Sequence, residues 1–137
     1  VFVNITKPKF GCIMFPIIIK TTRASKKIKR ILFRIVPLCE SLPSKKTCKI
    51  IEDQLLRSAF SAAANYRAAC KAQSIKAFKS KLSIAFEEID ESLFWLETIS
   101  ELNLLKRQKL SLILKEADEI SRILASSRIT LEKKIGK

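Results

Sequence analysis

From Ser25 to the end of the chain, apolar residues recur every three or four positions in four successive stretches, with polar residues between them. That spacing is the α-helical period. In the first stretch Ile28, Ile31, Leu32, Ile35, Leu38, Cys39 and Leu42 share a face, and Ser25 stands where an N-cap belongs. Pro37 falls inside this run and, lacking an N–H, is expected to kink the helix. Leu42-Pro43-Ser44 ends it, with Ser44 or Thr47 placed to cap the next. The second stretch, about 44–72, aligns Ile51, Leu55, Ala59, Ala62, Tyr66 and Ala69. Its small residues, Ser58 and Ser61 to Ala64 among them, would let another helix come close. Ser74 opens a third helix with Phe78, Leu82, Ala85, Ile89, Leu93 and Leu96 inward. Asn103 to Lys106 reads as a turn. The last helix, about 107–134, uses Leu110, Ile113, Leu114, Ala117, Ile120, Leu124 and Leu131, and Gly136 ends it. Four amphipathic helices on short connections predict an all-α fold, an antiparallel up-down four-helix bundle over residues 23–137.

Residues 1–22 do not share this period and read as an N-terminal extension. Phe10 to Ile19 is a ten-residue apolar run broken by Pro16, too short for a bilayer, which needs about 20. Lys7 and Lys9 before it mimic a signal peptide, yet no A-x-A site follows. Val1–Ile5 and Ile17–Ile19 suit either a short strand or an extended arm lying on a neighbour.

Composition narrows the chemistry. The 137 residues hold no histidine, two glycines and four prolines. The commonest general base, the commonest zinc ligand and the Ser-His and Cys-His nucleophile systems are thereby absent. Glycine-rich phosphate loops lack their material. Cys12, Cys39, Cys48 and Cys70 have no C-x-x-C spacing, and they read as reduced, structurally passive thiols of a cytoplasmic protein. No metal, cofactor or enzymatic activity is indicated.

Charge adds a partner. The formal net charge is +14, from 27 Lys and Arg against 13 Asp and Glu. Residues 1–81 carry 18 of the bases and 3 of the acids, whereas residues 82–137 carry 9 and 10. So polarised a chain calls for a polyanion. At 100° per residue, Lys46, Lys49, Arg57, Arg67 and Lys71 fall within about 80° of one another, opposite the Ile51 face, with Phe60 in their midst. Lys76 and Lys79 extend the stripe into the third helix. These seven cations are the candidate nucleic-acid contacts, although Arg57 could instead bridge to Glu88 or Glu91. Helix three then turns acidic at Glu87, Glu88, Asp90, Glu91, Glu97 and Glu101, which reads as a solvated face or a salt-bridge partner. Phe94 and Trp95 project off the core stripe, and with Phe60 they are the candidate oligomer contacts.

Asp53 to Glu97, DQLLRSAFSAAANYRAACKAQSIKAFKSKLSIAFEEIDESLFWLE, resembles the bacterial four helix bundle proteins encoded in intervening sequences of 23S ribosomal RNA genes. The pattern D-Q-L-L-R-S is met by Asp53 to Ser58, and A-N-Y-R by Ala64 to Arg67. Phe78, Lys81, Leu82, Ile84 and Ala85 meet F-x-x-K-L-x-I-A, and Glu88, Glu91, Trp95, Leu96 and Glu97 meet E-x-x-E-x-x-x-W-L-E. Lys115 to Ile120 supply the later K-E-A-D-E-I. The likeness covers roughly residues 25–134. Ala63 replaces the usual glycine before A-N, Ala68 the usual acid after A-N-Y-R, and residues 1–22 have no counterpart. The resemblance implies an antiparallel bundle that assembles as a homopentamer. It also implies kinship with the accessory variability protein of diversity-generating retroelements, a basic pentameric barrel that binds nucleic acid and a reverse transcriptase.

Three functions compete. The leading one is a non-catalytic oligomer that binds nucleic acid, RNA ahead of DNA and ribosomal or intervening-sequence RNA among the candidates, mainly through phosphates. The second is a structural or adaptor homo-oligomer for a partner protein such as a reverse transcriptase. An enzyme comes last. None of these involves a membrane.

Overall fold

A computed structural model describes the backbone of residues 15–136 and the side chains of residues 23–136. Four helices make it up: α1 (Phe15–Glu40), α2 (Lys46–Cys70), α3 (Ile75–Glu101) and α4 (Arg107–Ile135). No strand occurs among the described residues. Each helix packs on its neighbours in a closed ring, α1 on α2, α2 on α3, α3 on α4 and α4 on α1, with the α2–α3 seam the most extensive. Ion pairs across the α1–α4 seam give the direction. Lys27 meets Glu119 at 2.6 Å and Arg34 meets Glu116 at 2.7 Å, so the numbers rise on one helix as they fall on the other. The architecture is the antiparallel four-helix bundle that the periodicity predicts.

The core is the set of inward positions read from the sequence. Ile31, Ile35, Leu55, Leu82, Leu96, Leu110, Ile120 and Leu124 are at most 1% exposed. Burying a side chain of this size contributes about 1.5–3 kcal/mol relative to leaving it in water. Leu42, Leu93 and Leu114 are half-buried and pack on the margin of that core rather than inside it. The α2–α3 seam is close because it is built of small residues. Ser58, Ala59, Ala62 and Ala63 are buried on α2, and the Ser58 and Ser92 hydroxyls hydrogen-bond across the seam at 2.8 Å.

Helix ends depart from the sequence reading in two places. α1 starts at Phe15, so Ser25 is an interior residue and not an N-cap, and Ile17–Ile19 lie in a helix, not in a strand or an arm. Pro16 is tolerated there because the first-turn N–H groups have no intrahelical acceptor. The added turns bring α1 to 26 residues beside partners of 25, 27 and 29, matching the walls of the bundle. The Val1–Ile5 reading lies outside the described residues. At α2 the N-cap is Lys45, without a side-chain cap bond, so neither Ser44 nor Thr47 takes that role. Pro37 sits in the last turn, and α1 continues three residues past it. Ser74 does cap α3, its hydroxyl accepting from the Ala77 N–H at 3.0 Å. Asn103 adopts φ 51° in the α3–α4 turn, and Gly136 is the C-cap of α4.

Candidate nucleic-acid interface

The outward face of α2 carries Lys46, Lys49, Arg57, Arg67 and Lys71, all exposed. The fold nevertheless divides the stripe. With a rise of 1.5 Å per residue, Lys46 and Lys71 stand about 37 Å apart, at opposite ends of the bundle. Between them Arg57 is held by α3. Its guanidinium donates to Glu88 at 3.2 Å and to Glu91, as well as to Gln54 of its own helix. Trp95 joins this cluster, its indole N–H donating to Glu91 at 3.2 Å. The Arg57 hydrogen bond, aided by that of Trp95, holds the Glu91 carboxyl below the usual carboxylate range against a smaller effect of burial. Glu91 in turn is the main cause that raises the Arg57 guanidinium. The bridge from Arg57 to α3 is thus formed, and to both acids.

At the α2–α3 turn the remaining cations come together. Lys71 is the C-cap of α2, and Lys76 follows the Ser74 cap of α3. Lys79 lies one turn on, 3.7 Å from Glu132 of α4. Lys46, Lys49, Lys71 and Lys76 make no ion pair among the described residues. Because α4 runs antiparallel to α3, its last turn returns to this same end with Lys133 and Lys134. Arg128 sits one turn earlier, its guanidinium 4.9 Å from the Phe86 ring centroid. These three α4 cations were not among the candidates read from the sequence. The signal for them is the up-down topology itself, which brings the end of the fourth helix to the start of the third.

The aromatic candidates separate as well. Phe60 and Phe94 are 52% and 55% exposed. Trp95 is half-buried, packs on the core and meets the Phe94 ring edge-on at 4.9 Å. Phe94 is therefore the outward member of the pair. Of the cysteines, Cys39 and Cys48 are buried, Cys70 is half-buried, and all three are free. Burial first, then the charges of Glu52 and Glu40, push the Cys39 thiol up to about 12. Burial also raises Cys70, partly offset by a hydrogen bond with Tyr66. Cys12 lies outside the described residues. No described helix is long and apolar enough to cross a membrane, and no three His, Cys, Asp or Glu side chains among the described residues are grouped to hold a metal.

The model of one protein family, described as 23S rRNA-intervening sequence protein, matches residues 20–126. Among solved structures, a crystal structure of a protein of unknown function from the S23 ribosomal protein family of Bacteroides thetaiotaomicron VPI-5482 is similar to this chain. It is 33% identical and superposes with a TM-score of 0.71, over 78% of this chain and 96% of that one. No curated protein matches.

Proposed function

The chain belongs to the 23S rRNA-intervening sequence protein family, and on that premise we propose that it is a non-catalytic, cytoplasmic homo-oligomer that binds RNA through phosphate contacts. The observation that carries this reading is a set of exposed lysines, Lys46, Lys49, Lys71 and Lys76, without ion-pair partners among the described residues. A bundle gains nothing from concentrating unpaired charge of one sign, since like charges repel. A polyanion relieves that repulsion and releases its own counterions on binding. The family is named for a 23S rRNA intervening sequence, and RNA, with ribosomal or intervening-sequence RNA first, is the polyanion we propose.

The mode follows from the side chains. Lysine is a compact, mobile point charge suited to phosphate and poor at reading base edges. Contacts are led by phosphates, and recognition follows the fold of the RNA more than its sequence.

Titrating the protein with a labelled RNA hairpin at increasing salt tests this. With about six phosphate contacts, affinity falls on the order of a thousandfold between 50 and 200 mM salt. Affinity that is weak and flat across that range would overturn the proposal. The adaptor reading, in which the oligomer holds a partner protein such as a reverse transcriptase, would then take its place.

A further inference from the structure

We infer that the RNA phosphates are met end-on, at the pole of the bundle formed by the α2–α3 turn and the end of α4, and not along the length of the α2 stripe. This deepens the RNA-binding proposal and rests on it.

Three observations place the contact there. The first is charge balance. Residues 64–83 and 125–136, which build this pole, hold eight Lys and Arg and a single acid, Glu132, which Lys79 engages. The opposite pole sets Glu40, Glu52, Asp53, Glu97 and Glu101 among its lysines, so its positive field is largely cancelled. Between the poles Arg57 is neutralised by Glu88 and Glu91. A phosphate approaching along α2 meets attraction, then a closed ion cluster, then a mixed surface. One approaching the α2–α3 turn meets a surface with seven more bases than acids.

The second is that the fold does not explain every one of these cations. Lys71, Lys133 and Lys134 sit at helix C-termini, where a cation complements the helix dipole. Lys76 and Lys79 lie in the first turns of α3, where the dipole opposes them, and the first turn of α3 holds no acid. Lys79 has Glu132 of α4 as its partner, so Lys76 is the cation that neither a dipole nor an ion pair accounts for, and an external anion would account for it.

The third concerns the described side chains. Among them the exposed aromatics Phe33, Phe60 and Phe94 all lie away from the pole. Phe60, the nearest along α2, is eleven residues and about 16 Å from Lys71. The described side chains of the pole thus offer unpaired bases no exposed ring to stack on, and their contacts with the ligand are led by backbone charge. The expected target is folded or duplex RNA of any sequence.

The test compares two charge reversals in the full chain, one at each pole: K71E/K76E/K133E, and K45E/K106E/K109E at the start of α2 and the α3–α4 turn, outside the proposed contacts. All six lysines are exposed, so circular dichroism and thermal midpoint report whether either variant is still folded. Binding of a labelled RNA hairpin, and of a DNA hairpin of the same sequence, is followed against salt. Reversal at the α2–α3 pole is expected to weaken RNA binding at least tenfold and to make its salt slope shallower by about 2. Reversal at the other pole should change affinity less than threefold. Should the first variant prove unfolded, K71Q/K76Q/K133Q carries the same expectation with a smaller loss. Binding lost only in K45E/K106E/K109E, or lost equally in both, would overturn the end-on assignment and leave RNA binding standing. Absence of salt-dependent RNA binding in the unaltered protein would instead remove the underlying proposal.

Discussion

Arg57 shows how one contact changes a residue's meaning. Read by charge and position it belongs to the basic stripe, yet the fold spends its guanidinium on Glu88, Glu91 and Gln54. Glu91 is held below its ordinary value of 4.5. A carboxyl depressed in the folded state adds stability that is present above its unfolded pKa and lost as pH falls through its folded one. A double-mutant cycle of Arg57→Ala and Glu91→Ala should therefore return a coupling of about 0.5 kcal/mol near pH 7, the scale of an exposed ion pair. The same cycle should return none once pH drops well below 4. A coupling that survived acid would mean that packing, not charge, joins the two. Cys39 offers a second check. Its thiol is 1% exposed and raised to about 12, so almost no thiolate exists at neutral pH. Alkylation of the native protein followed by mass spectrometry should leave Cys39 and Cys48 unmodified until denaturant is added.

At the scale of elements, the caps carry the testable energy. Ser74 is the described N-cap with a side-chain bond, so Ser74→Ala should lower stability by about 1 kcal/mol, seen as a shift in the urea midpoint at constant slope. Helix period and core were open to reading because each inward residue sits on a repeating face. Neither depends on distant information. What failed was local and end-related. Lys45 caps α2 with its backbone alone, against two better-suited neighbours, because the chain leaves Pro43 already turned toward the helix, with the Lys45 N–H bonded to the Pro43 carbonyl at 2.8 Å. The start of α1 was missed for a different reason. An apolar run holding a proline has no clear amphipathic period, and its helical state follows from the length of the three helices beside it. The candidate site was legible as seven cations on two helices. The Arg57 bridge was visible only as an alternative, and Lys133 and Lys134 became neighbours of Lys76 only through the antiparallel return of α4.

For the whole molecule, charge and apolar surface pull in opposite directions, and that opposition makes assembly testable apart from RNA binding. Copies carrying +14 repel one another. In the proposed oligomer, association would come from uncharged surface, for which Phe60 and Phe94, each more than half exposed, are the candidates beside the half-buried Trp95. Salt screens the repulsion but leaves apolar contact intact. The proposed oligomer should therefore persist or strengthen between 50 and 200 mM salt, the range in which affinity for RNA is expected to fall. Light scattering at micromolar concentration should report a multiple of 15.6 kDa, with five subunits the number that the family likeness implies. Phe94→Ser is the cleaner probe, because its ring points outward while Trp95 also packs on the core. It should shift the mass toward the monomer with the thermal midpoint of the bundle little changed. Trp95→Ala should lower that midpoint as well. A mass near 15.6 kDa at both salt concentrations would show that the exposed rings serve no self-association, and the poles would then act on RNA one bundle at a time.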